Sequence, residues 1–562
     1  MFPSFSAALA RSSRPVAPAL RGGAPPAAGT AWRGAFTLAA GAPGQCETPK
    51  RTPCERKGKL EPPARTVRLR DTWRGGGPDG ALTMAILEER GLFWWADEAV
   101  PEKQFAPDSC VAGLLIIDDD GQTRLELDGY FPSKHGPMTP MMRGGQLIDK
   151  DIQGVLRTSN KRVLLTGLIG NGGQFTASGM SYERYIAGLC LVADGFAKPP
   201  ATRAFKEIIV PLTGFEEWLR LASIKVTSSK RMVSVKYKRP KDAVYPTADG
   251  KLSIHFESAE DSSGPVFGMA LSLKQTASAV LRFRKPLALK DLIAQYKLLE
   301  DLLLMLTGSD HTLDWPWIAA GKIAQYRLYF PKPGSKAASP PPKAHECITN
   351  FMQLRERFGE IWSDWKKKRE AFGPGFYLYL GTRRGVRLYI ENRFINLVFG
   401  LEAFHRRKYP PTGETKLDEK IKRIVAQVSL AKDQKWLADV LERAKDQPPL
   451  GQRLYETLRE VPLGLDETRL RSFCEVCGKL RNDISHFGGQ RHNETPYNDF
   501  ILDLESKGQA LATLYQALLL YEIGIDARII KAWMFDGFGS LPIKYHFVKA
   551  HLLDKSLLDP QQ

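Results

Sequence analysis

The sequence predicts an α+β protein of several domains, in which a β-rich, sandwich-like or barrel-like domain precedes an all-helical bundle. Between residues 93 and 330, short apolar or alternating runs separated by Gly, Pro and Asp turns are typical of strands. After residue 343, apolar residues recur at spacings of three and four, as in amphipathic helices. Residues 331–342 (PKPGSKAASPPP) have the composition of a linker. We therefore expect domains at 84–330 and 343–562.

Length, composition and net charge limit the kinds of protein that this sequence can encode. A chain of 562 residues that is 43% hydrophobic is long and apolar enough for several buried cores. The net charge of +18 is compatible with an RNA partner but does not demonstrate one. Seven scattered cysteines argue against a disulfide framework and favour a reducing cytoplasm. The longest apolar runs are too short for a membrane-spanning helix, so no membrane partner is expected.

Residues 1–83 form a separate segment that is rich in Pro, Ala, Gly and Arg and has no apolar periodicity. This composition predicts disorder. Globular sequence begins abruptly at Met84, so we favour a mis-assigned start, with Met84 as the natural first residue. A functional basic tail and a targeting signal remain alternatives.

In the β-rich domain, the strand pattern recurs in order along the chain. Strands are expected at 111–117, 123–127, 163–169, 185–193, 207–212, 232–237, 252–256, 266–273, 280–283 and 323–330. A helix is expected at 286–306, where apolar residues adopt helical spacing. No catalytic set of residues is visible in this domain, and its ligand cannot be read from the sequence.

The second half is predicted to be a helical bundle. Helices are expected at 347–372, 384–407, 417–441, 454–461, 467–487 and 498–521. The fifth of these helices carries the strongest chemical motif in the chain. Its apolar face recurs at spacings of 3, 4, 3, 4 and 3 residues in Leu470, Phe473, Cys477, Leu480, Ile484 and Phe487.

Beside that apolar face lies an arginine with a histidine five positions later. Arg481 carries a permanent charge and a fork of donors suited to phosphate, and His486 can exchange protons near neutral pH. The pair is a candidate for phosphodiester cleavage, although an arginine and a histidine at this spacing are more often plain surface residues. On an ideal helix they lie about 140° apart. They converge only if the helix ends or bends before His486, or if a second chain completes the site.

The motif, together with residues 391–406 upstream, resembles the ApeA-like HEPN ribonucleases, and the β-rich region is similar to the ApeA N-terminal domain. The resemblance implies a metal-independent endoribonuclease that acts in antiphage defence by abortive infection and needs no cofactor. It implies His486 as acid or base, Arg481 as phosphate clamp, Asn482 as an orienting residue and Glu402 as the acidic residue of the first long helix. It also implies a homodimer, an RNA substrate, a β-rich sensor domain and an unknown phage-derived trigger.

Several basic clusters of the helical half are candidate contacts to the RNA backbone, with a solvated helix face as the alternative for each. The candidates are Lys366, Lys367, Lys368, Arg383, Arg384, Arg406 and Arg407.

Other functions remain open. The HEPN-like part could be a non-catalytic module that binds nucleic acid or nucleotide and dimerises, or a helical interaction scaffold. Cys474 and Cys477, with His486 and His492, could also be drawn as a zinc site. Cys477 belongs to the apolar face, however, so we expect both cysteines to be buried and no zinc to be bound.

Overall fold

The computed structural model describes most of the chain from residue 85 onward, and these residues belong to one compact unit. The described ranges are 85–132, 144–176, 178–193, 203–221, 223–263, 270–319, 324–332, 339–384, 388–410, 416–443, 448–490, 495–537 and 539–558. The extension predicted at 1–83, residues 333–338 of the 331–342 linker and His492 lie outside them. No helix in these ranges is long and apolar enough to cross a membrane.

The first part of the fold is a closed barrel of six antiparallel strands, which confirms the β-rich prediction. The strands of this part are β1 (Ala85–Trp95), β2 (Val111–Asp118), β3 (Thr123–Leu127), β4 (Leu147–Ile148), β5 (Ile152–Leu156), β6 (Arg162–Gln174) and β7 (Tyr182–Ala193). The order β1–β2–β3–β7–β6–β5 closes because β5 also pairs with β1, whereas β4 only extends β6. Alternating residues fill the barrel core, among them Phe93, Trp95, Leu115 and Tyr185.

An antiparallel extension continues from β7, in the order β15–β14–β8–β13–β12–β11. Its strands are β8 (Ala204–Pro211), β11 (Ala243–Thr247), β12 (Gly250–Ser263), β13 (Ala270–Ala288), β14 (Trp317–Ala319) and β15 (Gln325–Tyr329). A short helix, α1 (Glu216–Leu219), follows β8, and α2 (Leu289–Thr307) packs beside the extension. Residues 301–307 of α2 are buried on every side. The strands β9 (Ile224–Ser228) and β10 (Val233–Tyr237) form a separate two-stranded sheet.

The second half is helical, as predicted. Its helices are α3 (Phe351–Leu354), α4 (Phe358–Phe372), α5 (Pro374–Arg383), α6 (Ile390–Lys408), α7 (Lys416–Val425), α8 (Ala431–Arg443), α9 (Leu450–Leu458), α10 (Glu467–Phe487), α11 (Tyr497–Glu522), α12 (Ala527–Lys531) and α13 (Ser540–Lys549). A π-helical turn, Ala532–Asp536, follows α12, and a 3₁₀ turn, Lys555–Leu558, ends the described chain. The helix expected at 347–372 is two helices, as is the one expected at 417–441, and α5 was not predicted.

One apolar core runs from the sheet extension into the bundle, across the proposed linker. The Trp218 ring of α1 packs against Phe351 and Phe358, with ring centroids 5.8 and 6.1 Å away. The indole nitrogen of Trp365 donates a hydrogen bond to the carbonyl oxygen of Leu298 at 3.0 Å. The boundary at 331–342 therefore stays a proposal, and the two parts it separates share a buried interface.

Candidate active site

The helix that carries the motif, α10, is continuous and has the buried face that its sequence predicts. The Asp466 side chain caps its start by accepting a hydrogen bond from the Arg469 amide, and Gly488 ends it with a positive φ of 71°. Leu470, Phe473, Cys477 and Ile484 are buried, and Leu480 packs against the same core while half-buried. The helix thus fixes the direction of each polar residue on it.

A group of three arginines surrounds one buried carboxylate beside this helix. Glu402 of α6, 9% exposed, accepts hydrogen bonds at Oε1 from Arg406 at 2.8 Å and from Arg453 of α9 at 2.9 Å. Its Oε2 accepts from Nη2 of Arg481 at 3.4 Å. We call Glu402 and these three arginines the Glu402 group; in the described residues, Arg406 and Arg481 have one recorded acid between them, Glu402. A surplus of positive charge at a partly buried site favours an anionic ligand.

Three contacts fix the guanidinium of Arg481 while leaving it partly accessible. It lies over the ring of Phe399, 4.6 Å from the ring centre, and its Nη1 donates to the Asn482 side-chain oxygen at 2.8 Å. Its side chain is 21% exposed, and its Nε is buried without a hydrogen-bond partner in the described structure. A fixed guanidinium with a donor to spare is suited to a phosphate oxygen. Asn482 orients Arg481 here.

Close approach of α9 to α10 brings Arg453 into the group. A Cβ on Gly451 would lie 2.7 Å from the Cα of Glu475, and one on Gly478 would lie 2.9 Å from the nitrogen of Gly451. Only glycine allows this crossing. The sequence reasoning missed Arg453, although a signal was present. Arg453 occupies an apolar position in the stripe of Leu450, Leu454 and Leu458, where a charged residue needs a buried partner.

His486 lies in the last turn of α10, is exposed, and does not face Arg481 within the chain. Because α10 is one uninterrupted α-helix from Glu467 to Phe487, the five-residue spacing keeps the two side chains about 140° apart around the helix. The structure therefore brings together Arg481, Asn482 and Glu402 but leaves His486 on another side. A bend that would unite the pair within one chain is not present.

Most of the other candidate RNA contacts form ion pairs or hydrogen bonds within the fold. Lys366 pairs with Asp249 at 2.8 Å, Lys368 pairs with Glu522 at 2.7 Å, and Arg384 pairs with Asp301. Arg383 and Arg407 donate to the carbonyl oxygens of Gly308 and Ala371, at 3.0 and 3.2 Å. Arg406 belongs to the Glu402 group, and Lys367 is exposed. Lys367, Arg383 and Arg407 are therefore the candidates for which no ion pair with an acid is recorded in the described residues.

The cysteines of the zinc alternative are buried in the bundle core. Cys474 and Cys477 are both fully buried, and burial raises the pKa of each thiol. A metal would need these thiols ionised. His486 lies on the exposed side of the helix, and His492 lies outside the described residues. Within the described ranges, no cluster of three or more His, Cys, Asp or Glu has the arrangement of a metal site.

Two family models match the chain, and between them they cover most of it. The model of ApeA N-terminal domain 1 matches residues 88–365, from β1 into α4. The model of the Apea-like HEPN domain matches residues 395–529, from α6 into α12, and so includes the Glu402 group and His486. No curated protein and no solved structure was found to match.

Proposed function

Because this chain belongs to the ApeA-like family, with an ApeA N-terminal domain followed by an Apea-like HEPN domain, we propose that it is a metal-independent endoribonuclease. The observation that carries this proposal is that Arg406 and Arg481 share one recorded acid, Glu402, and that Arg481 lies on the same helix as an exposed histidine. The family further suggests a role in antiphage defence by abortive infection in the bacterial cytoplasm, with a phage-derived trigger.

The chemistry uses the RNA's own 2′-hydroxyl as nucleophile. His486 as base removes the 2′-hydroxyl proton, or as acid protonates the departing 5′-oxygen; either role is worth about 10²–10⁴ in rate. The 2′-oxygen bonds to phosphorus as the bond from phosphorus to the 5′-oxygen breaks. Arg481 stabilises the charge that grows on the non-bridging oxygens. The products are a 2′,3′-cyclic phosphate and a 5′-hydroxyl, and water is not consumed in this step.

A second copy of the chain completes the proposed site. Arg481 and His486 point to different sides of a straight α10, so one phosphate cannot contact both in a single chain. Two α10 helices packed around a two-fold axis would place Arg481 of each chain near His486 of the other. A homodimer would therefore bring Arg481 and His486 together, which the geometry of a single α10 helix does not allow.

The test is cleavage of cellular RNA by purified wild-type and variant proteins. We expect His486→Ala and Arg481→Ala each to abolish cleavage, while His345→Ala and Arg469→Ala leave it unchanged. His345 is an exposed histidine elsewhere, and Arg469 pairs with Asp554 near the start of α10. Cleavage is expected to persist in EDTA, since no metal takes part.

Two outcomes would overturn the mechanism. They are full activity of either site variant and loss of wild-type activity on chelation. RNA binding without cleavage by the wild-type protein, under conditions that trigger toxicity in cells, would instead favour the non-catalytic binding module. Expression of wild type and His486→Ala in phage-infected cells, with growth and RNA integrity as readouts, tests the defence role separately.

A further inference from the structure

The strands β9 and β10 form a ribbon that stands apart from the main sheet. We define the basic ribbon as residues 224–241, which comprise both strands, their turn and the segment before β11. The two strands pair with each other and with no other strand in the described part of the chain. At the ribbon's base, the Lys238 amide donates to the carbonyl of Ser223 at 3.0 Å, and Arg355 donates to the carbonyl of Lys241 at 2.9 Å.

The basic ribbon has a high density of positive charge and few acidic neighbours. Its 18 residues include seven basic and no acidic side chains, in a protein whose net charge over 562 residues is +18. The basic residues are Lys225, Lys230, Arg231, Lys236, Lys238, Arg239 and Lys241, and all seven are exposed. The nearest acid recorded for any of them is Asp242, 3.7 Å from Arg239. In contrast to Lys366 and Lys368, the six cations other than Arg239 have no ion pair recorded among the described residues.

The register of the ribbon places two lysines directly opposite each other. Lys236 pairs with Lys225 across the strands, and Ser234 pairs with Thr227 on the same face. Like charges directly opposite in a sheet are destabilising. A pair that costs stability in the isolated protein is relieved when an anion lies across it. The flanking Ser234 hydroxyl adds a hydrogen-bond donor to such an anion, whereas the Thr227 hydroxyl donates to the Ser234 carbonyl at 3.5 Å. The lysine pair and this hydroxyl suit the oxygens of a phosphodiester backbone.

We propose that the basic ribbon binds the sugar–phosphate backbone of a nucleic acid strand. The repeated cations along about 18 residues match a repeating polyanion, and phosphate contacts dominate the affinity of nucleic-acid-binding proteins. The other face exposes Val226, Val233 and Val235, which suits contact with sugars and bases. A membrane fits less well, because the tip carries Lys230 and Arg231, which are costly to insert into lipid. This inference does not depend on the proposed cleavage reaction.

The experiment measures the affinity of full-length protein for labelled oligonucleotides of roughly 20 residues, oligo(U) RNA and oligo(dT) DNA. The His486→Ala background keeps the RNA intact, and the DNA probe gives a readout even if that variant still cleaves RNA. We expect Lys225→Gln with Lys236→Gln to weaken binding about 25-fold at 0.1 M salt and to reduce the slope of log K against log[salt] by about 1.4. The matched control, Lys432→Gln with Lys435→Gln on α8, neutralises two exposed lysines elsewhere and is expected to bind normally.

A second ribbon variant tests whether the loss of binding in the first comes from lost charge or from misfolding. Lys230→Gln with Arg231→Gln changes only exposed turn residues and is expected to lose affinity to a similar extent. Unchanged affinity in either ribbon variant, or an equal loss in the α8 control, would overturn the proposal. So would a ribbon variant that loses binding to phosphatidylserine vesicles but keeps its oligonucleotide affinity. The ratio of RNA to DNA affinity of the His486→Ala protein with an intact ribbon then shows which of the two nucleic acids the ribbon prefers.

Discussion

Two ionic clusters in this molecule have opposite balances of charge. Around Asp301 of α2, Arg369 and Arg384 meet Asp301 itself, and Arg384 also reaches Glu300 at 3.5 Å and Asp310 at 3.3 Å. Acids outnumber arginines there, and burial raises the pKa of Glu300. In the Glu402 group, Arg406 and Arg481 share Glu402 as the one acid recorded for them among the described residues. The first cluster ties the sheet part to the bundle, whereas the second has the charge balance that the proposed anionic ligand requires. The excess of positive charge therefore distinguishes the candidate site from the Asp301 cluster, which holds two parts of the fold together.

The largest expected effect follows from removing the shared acid of the Glu402 group. Glu402→Gln removes the carboxylate charge that lies 2.9 Å from Nη1 of Arg453, whose side chain is 10% exposed. We expect the free energy of unfolding to fall by about 3 kcal/mol, measured by urea denaturation. Because Arg481 also loses its anchor, cleavage per folded molecule is expected to fall by about 100-fold. Glu360→Gln, which breaks an exposed pair with Arg357, serves as the control. Wild-type activity in Glu402→Gln would remove Glu402 from the site.

The Asp301 cluster is expected to respond in stability alone. Asp301→Asn uncouples Arg369 and Arg384 from a buried carboxylate that is 7% exposed, at a cost of about 3 kcal/mol of unfolding free energy. RNA cleavage per folded molecule is expected to stay at the wild-type level, assayed well below the melting temperature. If Asp301→Asn suppresses cleavage as strongly as Glu402→Gln does, the contrast between the two clusters fails.

A third, smaller effect concerns pH. Burial disfavours ionisation of Glu522, but hydrogen bonds from Lys368 and Lys408 outweigh it, so its pKa lies below the ordinary 4.5. A lowered pKa stabilises the fold above pH 4.5, and this stabilisation is lost as the pH falls through the lower, folded-state value. Glu522→Gln is therefore expected to cost about 2 kcal/mol at pH 7 and progressively less below pH 4.5. Urea denaturation at pH 7 and at pH 3 measures the difference. A cost that is independent of pH would contradict the ionic role.

The smallest expected effect distinguishes neighbouring lysines on α4. Lys367 is exposed, whereas Lys366 is already paired with Asp249. We expect Lys367→Gln to weaken RNA binding by a few-fold at 0.1 M salt, and Lys366→Gln to change it less. Fluorescence titration with the inactive His486→Ala protein provides the measurement. A larger loss for Lys366→Gln would show that internal pairing does not decide which cations reach RNA.

Local patterns predicted much of this fold, and long-range partners account for what they missed. The alternation at 123–127 and the helical spacing at 286–306 correspond to β3 and α2, because each pattern depends only on neighbouring residues. Barrel closure by pairing of β5 with β1 is a contact between distant segments, so no local pattern reports it. In the site, Arg481 was named from the motif and Glu402 from the family resemblance. The contribution of Arg453 and the pairing of Lys366 with Asp249, 117 residues away, require the tertiary structure.

The most direct test of the central claim is complementation between two inactive chains. Arg481→Ala and His486→Ala chains carrying different tags are co-expressed, and heterodimers are purified through both tags. If Arg481 of one chain acts with His486 of the other, each heterodimer holds one intact site of two and shows about half the wild-type activity. Each variant alone stays inactive. Heterodimers as inactive as either parent, or a wild-type protein fully active as a monomer, would contradict a site shared between two chains.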